Sequence, residues 1–204
     1  MQTKTKICGL TRPADIEIIN AAKPDYIGFV FAESRRKVSP KQAQELKSAL
    51  QKEIQAVGVF VNEPIENILS LVQNHTIDIV QLHGTEDESY ILTLRKKTTA
   101  PIIKAIPIQK SGDAQSWQNT SADYLLLDNK TGGTGKAFDW GLIGTIDKPF
   151  FLAGGLSPEN VALAVSQVKP YAVDVSSGVE NKNNQKCATL INSFLLNTTK
   201  KRSR

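Results

Sequence analysis

The sequence predicts an α/β fold of one domain, a (β/α)8 barrel, and three observations lead to it. The chain has 204 residues, enough for one well-buried domain and short for two. Short β-branched runs alternate with segments of helical period along its whole length, the pattern of parallel strands joined by right-handed crossovers. The runs number eight, at about 25 residues per unit, and eight such units close into a barrel.

The first strand is expected over Thr5 to Cys8, and Pro13 behind Thr11 or Arg12 opens the helix that follows. Strands two and three fall on Tyr26 to Phe31 and Ile54 to Phe60, with helices opened by Ser39-Pro40 and Glu63-Pro64. Strand four covers Ile77 to Leu82. Strand five covers Ile102 to Ala105, and Asp113 to Thr120 then offers barely two helical turns. Strand six is Tyr124 to Leu127, followed by a short helix over Trp140 to Thr145. Strand seven is Phe150 to Ala153, where Ser157-Pro158 opens a helix carrying Val161, Leu163, Ala164 and Val165; strand eight is Ala172 to Val175. Trp117 and Trp140 read as helix residues covering the barrel. An open doubly wound sheet is the alternative, but no GxGxxG follows the first strand, which ends in Cys8-Gly9.

Hydrophobic residues make up 40% and charged residues 22%, which excludes a disordered chain. No apolar stretch approaches the roughly 18 to 20 residues of a bilayer helix, so no membrane partner is expected. The net charge of +5 suggests nucleic acid, but Lys200, Lys201, Arg202 and Arg204 supply four of those charges, leaving +1 on residues 1–199. The barrel is accordingly placed at 1–199 and a disordered basic tail at 200–204, with no nucleic-acid partner. Cys8 and Cys187 have no metal-ligand spacing, and the start MQTKTKICGL has no secretory apolar run. A cytoplasmic, reducing location follows.

In such a barrel the chemistry sits at the C-terminal ends of the strands. Those ends carry Cys8-Gly9, Ser34-Arg35-Arg36, Gln81-Leu82-His83-Gly84, Asp128, Gly132-Gly133-Thr134-Gly135, Gly154-Gly155 and Asp174-Val175-Ser176-Ser177-Gly178. The opposite ends carry ordinary loop residues. Glycines after strands six, seven and eight let backbone N–H groups approach an oxyanion, with the positive ends of the following helices aimed at it. Three adjacent strands with this feature make a phosphate site out of what one glycine pair would leave as a turn.

Cys8 has two readings, a small buried hydrophobe or a reactive thiol. Lys6, two residues back, projects to the same face and would favour the thiolate. Cys187, without polar company, reads as structural. Asp128 ends an apolar run, where a carboxyl holds its proton more tightly; it is either a general acid or a carboxylate paired with Lys130 or Lys136. Arg35 and Arg36 are either surface charge or a bidentate clamp for a carboxylate. His83 lines the mouth, whereas His75 sits at the wrong end.

Taken together, KICGLTRPAD, DYIGFVF followed by SRR, AVGVFVN, DIVQLHG, LLLDNKTGGTGKAFDW, FFLAGGLSPENV and AVDVSSGVE resemble the phosphoribosylanthranilate isomerase family of tryptophan biosynthesis. The resemblance runs from Lys4 to Glu180 and implies a (β/α)8 barrel that carries out an Amadori rearrangement without a cofactor. It puts the general base on Cys8 and the general acid on Asp128. The phosphosugar substrate would lay its phosphate on Gly154, Gly155, Ser177 and Gly178, its ribose between Asp128 and Cys8, and its anthranilate carboxylate near Arg36. His83 and Asp174 would line the mouth.

The family pattern departs after Glu180: a Gly-x-Lys-Asp stretch is expected and Asn181 to Cys187 stands there. This puts the last loop in doubt. Indole-glycerol-phosphate synthase would want a catalytic Lys and Glu, a ribulose-phosphate epimerase metal-binding His and Asp, and a flavin enzyme the same phosphate cradle. A barrel that only binds its ligand would leave Cys8 and Asp128 idle. A monomer and a homodimer are equally compatible with the sequence.

Overall fold

The computed structural model describes residues 2–129 and 138–199. Eight parallel strands form one closed barrel in sequence order, with β8 paired to β1. They are β1 (Lys4–Cys8), β2 (Tyr26–Val30), β3 (Gln55–Phe60), β4 (Ile79–Leu82), β5 (Ile102–Ile108), β6 (Tyr124–Asn129), β7 (Phe150–Leu152) and β8 (Ala172–Val175). The helices are α1 (Pro13–Ala22), α2 (Pro40–Ser48), α3 (Ile65–Gln73), α4 (Glu88–Arg95), α5 (Val161–Val168) and α6 (Ala188–Thr199). The TIM-barrel reading therefore holds, and the open sheet is excluded by the β1–β8 ladder. Among the described residues, no helix is long and apolar enough to cross a membrane.

Local signals set most helix starts. Pro13 begins α1, and the Asp15 carboxylate accepts from the backbone N–H groups of Thr11 and Arg12. Ser39 Oγ caps α2 by accepting from Gln42 N. Two starts shift. Pro64 is itself the cap of α3, and α5 begins at Val161 because Ser157 to Asn160 make a separate turn, closed by Ser157 N–H donating to Asn160 Oδ1 at 2.9 Å.

The segments Asp113 to Thr120 and Trp140 to Thr145 do not become α-helices. They form short 3-10 turns at Gln115–Trp117 and Trp140–Ile143, with both tryptophans packed on the outer core. So few residues cannot nucleate a longer helix. β5 runs past Ala105 and through Pro107, where only β6 flanks it, since β4 pairs no further than Lys104.

Two apolar layers follow from the period-2 alternation of the strands. One lies between strands and helices; the other fills the barrel with Tyr26, Val57, Ile79, Ile103, Leu126, Phe151 and Ala172. At the N-terminal end, Lys4 Nζ donates to Tyr26 Oη at 3.2 Å, and the Tyr26 and Tyr171 hydroxyls lie 3.0 Å apart. Lys4 also stands 5.4 and 5.3 Å from the centroids of those two rings. This plug closes the floor of the barrel and leaves the C-terminal mouth as its open end.

Candidate active site

The site begins where the barrel closes. The β1–β8 register sets Lys6 opposite Asp174, and Lys6 Nζ donates to Asp174 Oδ2 at 2.9 Å. Lys6 has no exposed surface, so the pair is an ion pair taken out of water, which survives only with good geometry. Asp174 Oδ1 is buried and has no hydrogen-bond partner among the described residues.

Cys8 is the next inward position on β1. A Cβ at residue 28 of β2 would sit 2.5 Å from Cys8 Sγ, so only glycine leaves room for the thiol. Burial pushes this thiol above its ordinary value, while Lys6 and Lys186 oppose the rise and Asp174 adds to it. Lys6 therefore acts in the expected direction, but burial outweighs it and the resting group is a thiol.

Lys186 approaches from the loop after β8. Its Nζ donates to Ser176 O at 3.0 Å and to Glu180 Oε1 at 2.8 Å, while Ser176 Oγ donates to Cys8 O at 3.0 Å. Glu180 also accepts from Arg36, Nε to Oε1 at 2.7 Å and Nη2 to Oε2 at 2.9 Å, and from Arg35 Nη2 at 2.8 Å. Although burial works the other way, Arg36 and Lys186 hold the Glu180 carboxyl below the usual carboxylate range. Burial lowers Lys186, with Glu180 offsetting part of the effect. Arg36 thus reaches the mouth with one edge already taken. It crosses β1 over Gly9, where a Cβ would lie 2.3 Å from Arg36 Cδ.

Across the mouth, β6 carries Asp128. Its Oδ1 accepts from Asn129 N at 2.7 Å, and its Oδ2 lies 3.6 Å from His83 Nε2. Burial raises the Asp128 carboxyl and lowers the His83 imidazole; each is partly offset by the other. The ionisable side chain beside Asp128 among the described residues is thus His83. Lys130, Lys136 and the run Gly132-Gly133-Thr134-Gly135 lie outside the described residues.

Between base side and acid side lie the glycine loops. Gly154 and Gly155 have φ of 82° and 64°, which favour glycine. A Cβ on Gly154 would come within 2.8 Å of Asn129 N and Asp128 Oδ1, and one on Gly178 within 2.0 Å of Leu156 O. Asn160 Nδ2 donates to Gly155 O at 2.8 Å and pins the loop. The N–H groups of Gly154, Gly155, Ser177 and Gly178 donate to no backbone carbonyl among the described residues. After β8 a 3-10 turn, Ser177–Val179, carries the loop, and α6 begins at Ala188.

The family model for N-(5'-phosphoribosyl)anthranilate isomerase matches residues 5–197. The chain belongs to this family. It is 49% identical over 181 residues to the N-(5'-phosphoribosyl)anthranilate isomerase of Endomicrobium trichonymphae, covering 87% of this chain and 89% of the relative. The crystal structure of phosphoribosyl anthranilate isomerase from Thermotoga maritima superposes with a TM-score of 0.88 at 38% identity, covering 96% of this chain and 98% of that one. A phosphoribosyl anthranilate isomerase in complex with reduced 1-(o-carboxyphenylamino)-1-deoxyribulose 5-phosphate gives 0.84 at 35% identity with the same coverage.

In the stretch after Glu180, Asn184 has φ of 57°, which asparagine tolerates, Lys186 turns back to Glu180, and Cys187 stands just ahead of α6, where its carbonyl accepts from Ile191 N at 2.9 Å. His75, with φ of 54°, stands in the turn after α3, at the end of the barrel away from the mouth.

The sequence assigns no role to Gly28, Gln81, Glu180 or Lys186, although Gln81 stands among the strand-end residues. Gly28 was detectable as a glycine inside a strand, and Gln81 as a polar residue in an apolar run. Nothing local marks Glu180 as the hub for Arg36 and Lys186.

Proposed function

We propose that this chain isomerises N-(5'-phosphoribosyl)anthranilate to 1-(2-carboxyphenylamino)-1-deoxyribulose 5-phosphate, with Asp128 as acid and Cys8 as base. Asp128 protonates the ribose ring oxygen, and the C1'–O bond breaks as the nitrogen lone pair forms the Schiff base. Cys8 thiolate then takes the C2' proton, and the electrons of that bond form the C1'–C2' double bond of an enolamine. Loss of the O2' proton and protonation of C1' give the ketone. Each positioned proton transfer supplies about 10² to 10⁴ in rate.

The observation that carries this reading is the order around the closed barrel. Acid on β6, glycine loops on β7 and β8, thiol on β1 and arginine on β2 are consecutive neighbours. The phosphate is assigned to Gly154, Gly155, Ser177 and Gly178, whose N–H groups are free of backbone partners among the described residues. The anthranilate carboxylate is assigned to Arg36, held in place by Glu180. His83 and Asp174 line the ribose position. A cytoplasmic enzyme, working as a monomer or homodimer, fits two cysteines that form no disulfide.

The test is the loss of fluorescence from freshly generated phosphoribosylanthranilate on adding protein, with the product identified. Loss above the spontaneous rate, abolished in Cys8→Ala and Asp128→Asn, supports the assignment. Full turnover in either variant overturns that residue's role.

A further inference from the structure

We infer that Gln81 is a positioning residue for the acid: it fixes the tautomer of His83 so that the imidazole presents Nε2–H to Asp128. The inference rests on reading Asp128 as the proton donor. Gln81 faces into the barrel on β4 and is buried, with its amide nitrogen 2.9 Å from His83 Nδ1. With its nitrogen turned to the ring the amide donates, so Nδ1 accepts and the ring proton resides on Nε2; a flipped amide would reverse both, and nitrogen spectra distinguish the two. That nitrogen stands 3.6 Å from Asp128 Oδ2, longer than a formed hydrogen bond, as catalytic contacts often are before substrate binds.

The chemistry gives this arrangement a purpose. While Asp128 holds its proton, a neutral imidazole alongside makes no demand on it. Once the proton has gone to the ring oxygen, the new carboxylate finds an N–H already aimed at it, with no reorganisation at the moment of reaction. The opposite tautomer would aim a lone pair at that carboxylate. Gln81 Oε1 has no partner among the described residues, so the contact with the histidine ring is the one the amide makes there. The other charges that reach the pair are Lys6 on β1 and Asp174 on β8, tied to each other, and Lys104 on β5 for His83. Lys104 is itself held by Glu86 at 2.9 Å.

The experiment is nitrogen NMR of protein labelled with 15N-histidine, which has two histidines to assign, followed across pH and repeated in Gln81→Leu and Gln81→Glu. In the unchanged protein, His83 is expected neutral with its proton on Nε2, and its shifts report the ionisation of Asp128. Gln81→Leu frees the tautomer, and the Asp128 inflection moves to higher pH. Gln81→Glu attracts a second ring proton onto Nδ1, and the inflection moves to lower pH. Opposite shifts from two variants of similar size separate positioning from simple damage to the fold, and the acidic limb of kcat/KM should follow them.

A proton on Nδ1 in the unchanged protein overturns the inference. So does a His83 spectrum that Gln81→Leu leaves unaltered. Should Asp128→Asn retain full turnover, the acid assignment fails instead, and the spectra still read the Gln81–His83 pair on their own.

Discussion

Lys4 and Lys6 project from one face of one strand, two residues apart, and meet opposite treatment. Lys4, at the floor, is partly exposed and lies against the faces and hydroxyls of Tyr26 and Tyr171. Lys6, at the mouth, has no exposed surface and depends on the single carboxylate of Asp174. The floor satisfies its polar atoms among neutral partners. The mouth keeps charges in low dielectric and leaves Asp174 Oδ1 and Gln81 Oε1 unpartnered among the described residues, the kind of arrangement that serves chemistry in place of stability.

The sharpest way to break this comparison is to remove the reacting groups themselves. Cys8→Ala and Asp128→Asn should each lower turnover by about 10² to 10⁴, with thermal unfolding nearly unchanged. Equal loss of folding would move both residues to the structural side of the comparison.

Next comes the buried pair. Lys6→Met strands Asp174 in low dielectric and should destabilise the fold by about 3–5 kcal/mol, as measured by urea unfolding. The double variant Lys6→Met, Asp174→Leu should recover much of that stability without recovering turnover. Recovery of turnover would show that the pair only fills space.

The pH dependence sharpens the same contrast. Cys8 must be a thiolate and Asp128 protonated, yet burial raises both, so the thiol stays protonated at pH values where the carboxyl has already ionised. The productive form is then a minor population with a constant share between the two values. The rate should fall below the Asp128 value and above the Cys8 value, giving an acidic limb above the ordinary carboxylate range and an alkaline limb above the ordinary thiol range. A kcat/KM profile with an acidic limb at an ordinary carboxylate value would contradict the desolvated acid.

The smallest effect belongs to the floor. Tyr171→Phe removes one hydroxyl partner of Tyr26 and should cost about 1 kcal/mol of stability, leaving kcat and KM untouched. A change in turnover would mean that floor and mouth communicate through the packed barrel layer.

The strand count is legible because each run is local, and Cys8 and Gly154 stand where their own apolar runs stop; β5 and β6 run on past the expected ends at Ala105 and Leu127, to Ile108 and Asn129. The short turns at Gln115–Trp117 and Trp140–Ile143 were overread as helices, since a few residues of helical period do not outlast their own ends. Least legible were the pairings. Lys6 meets Asp174 across a separation of 168 residues, and Arg36 meets Glu180 across 144. No periodicity in either segment names its partner; the closure of β8 on β1 does.

That closure also sets a schedule for the newborn chain. At about 5–20 residues per second of synthesis, Lys6 is joined to the chain roughly eight to thirty-four seconds before Asp174 exists. Until then its ammonium has no counterpart and must remain hydrated, so β1 cannot take its final place. Cys8 spends that interval as an ordinary water-exposed thiol, open to any oxidant or electrophile nearby. The last strand to be made is the one that shelters the first.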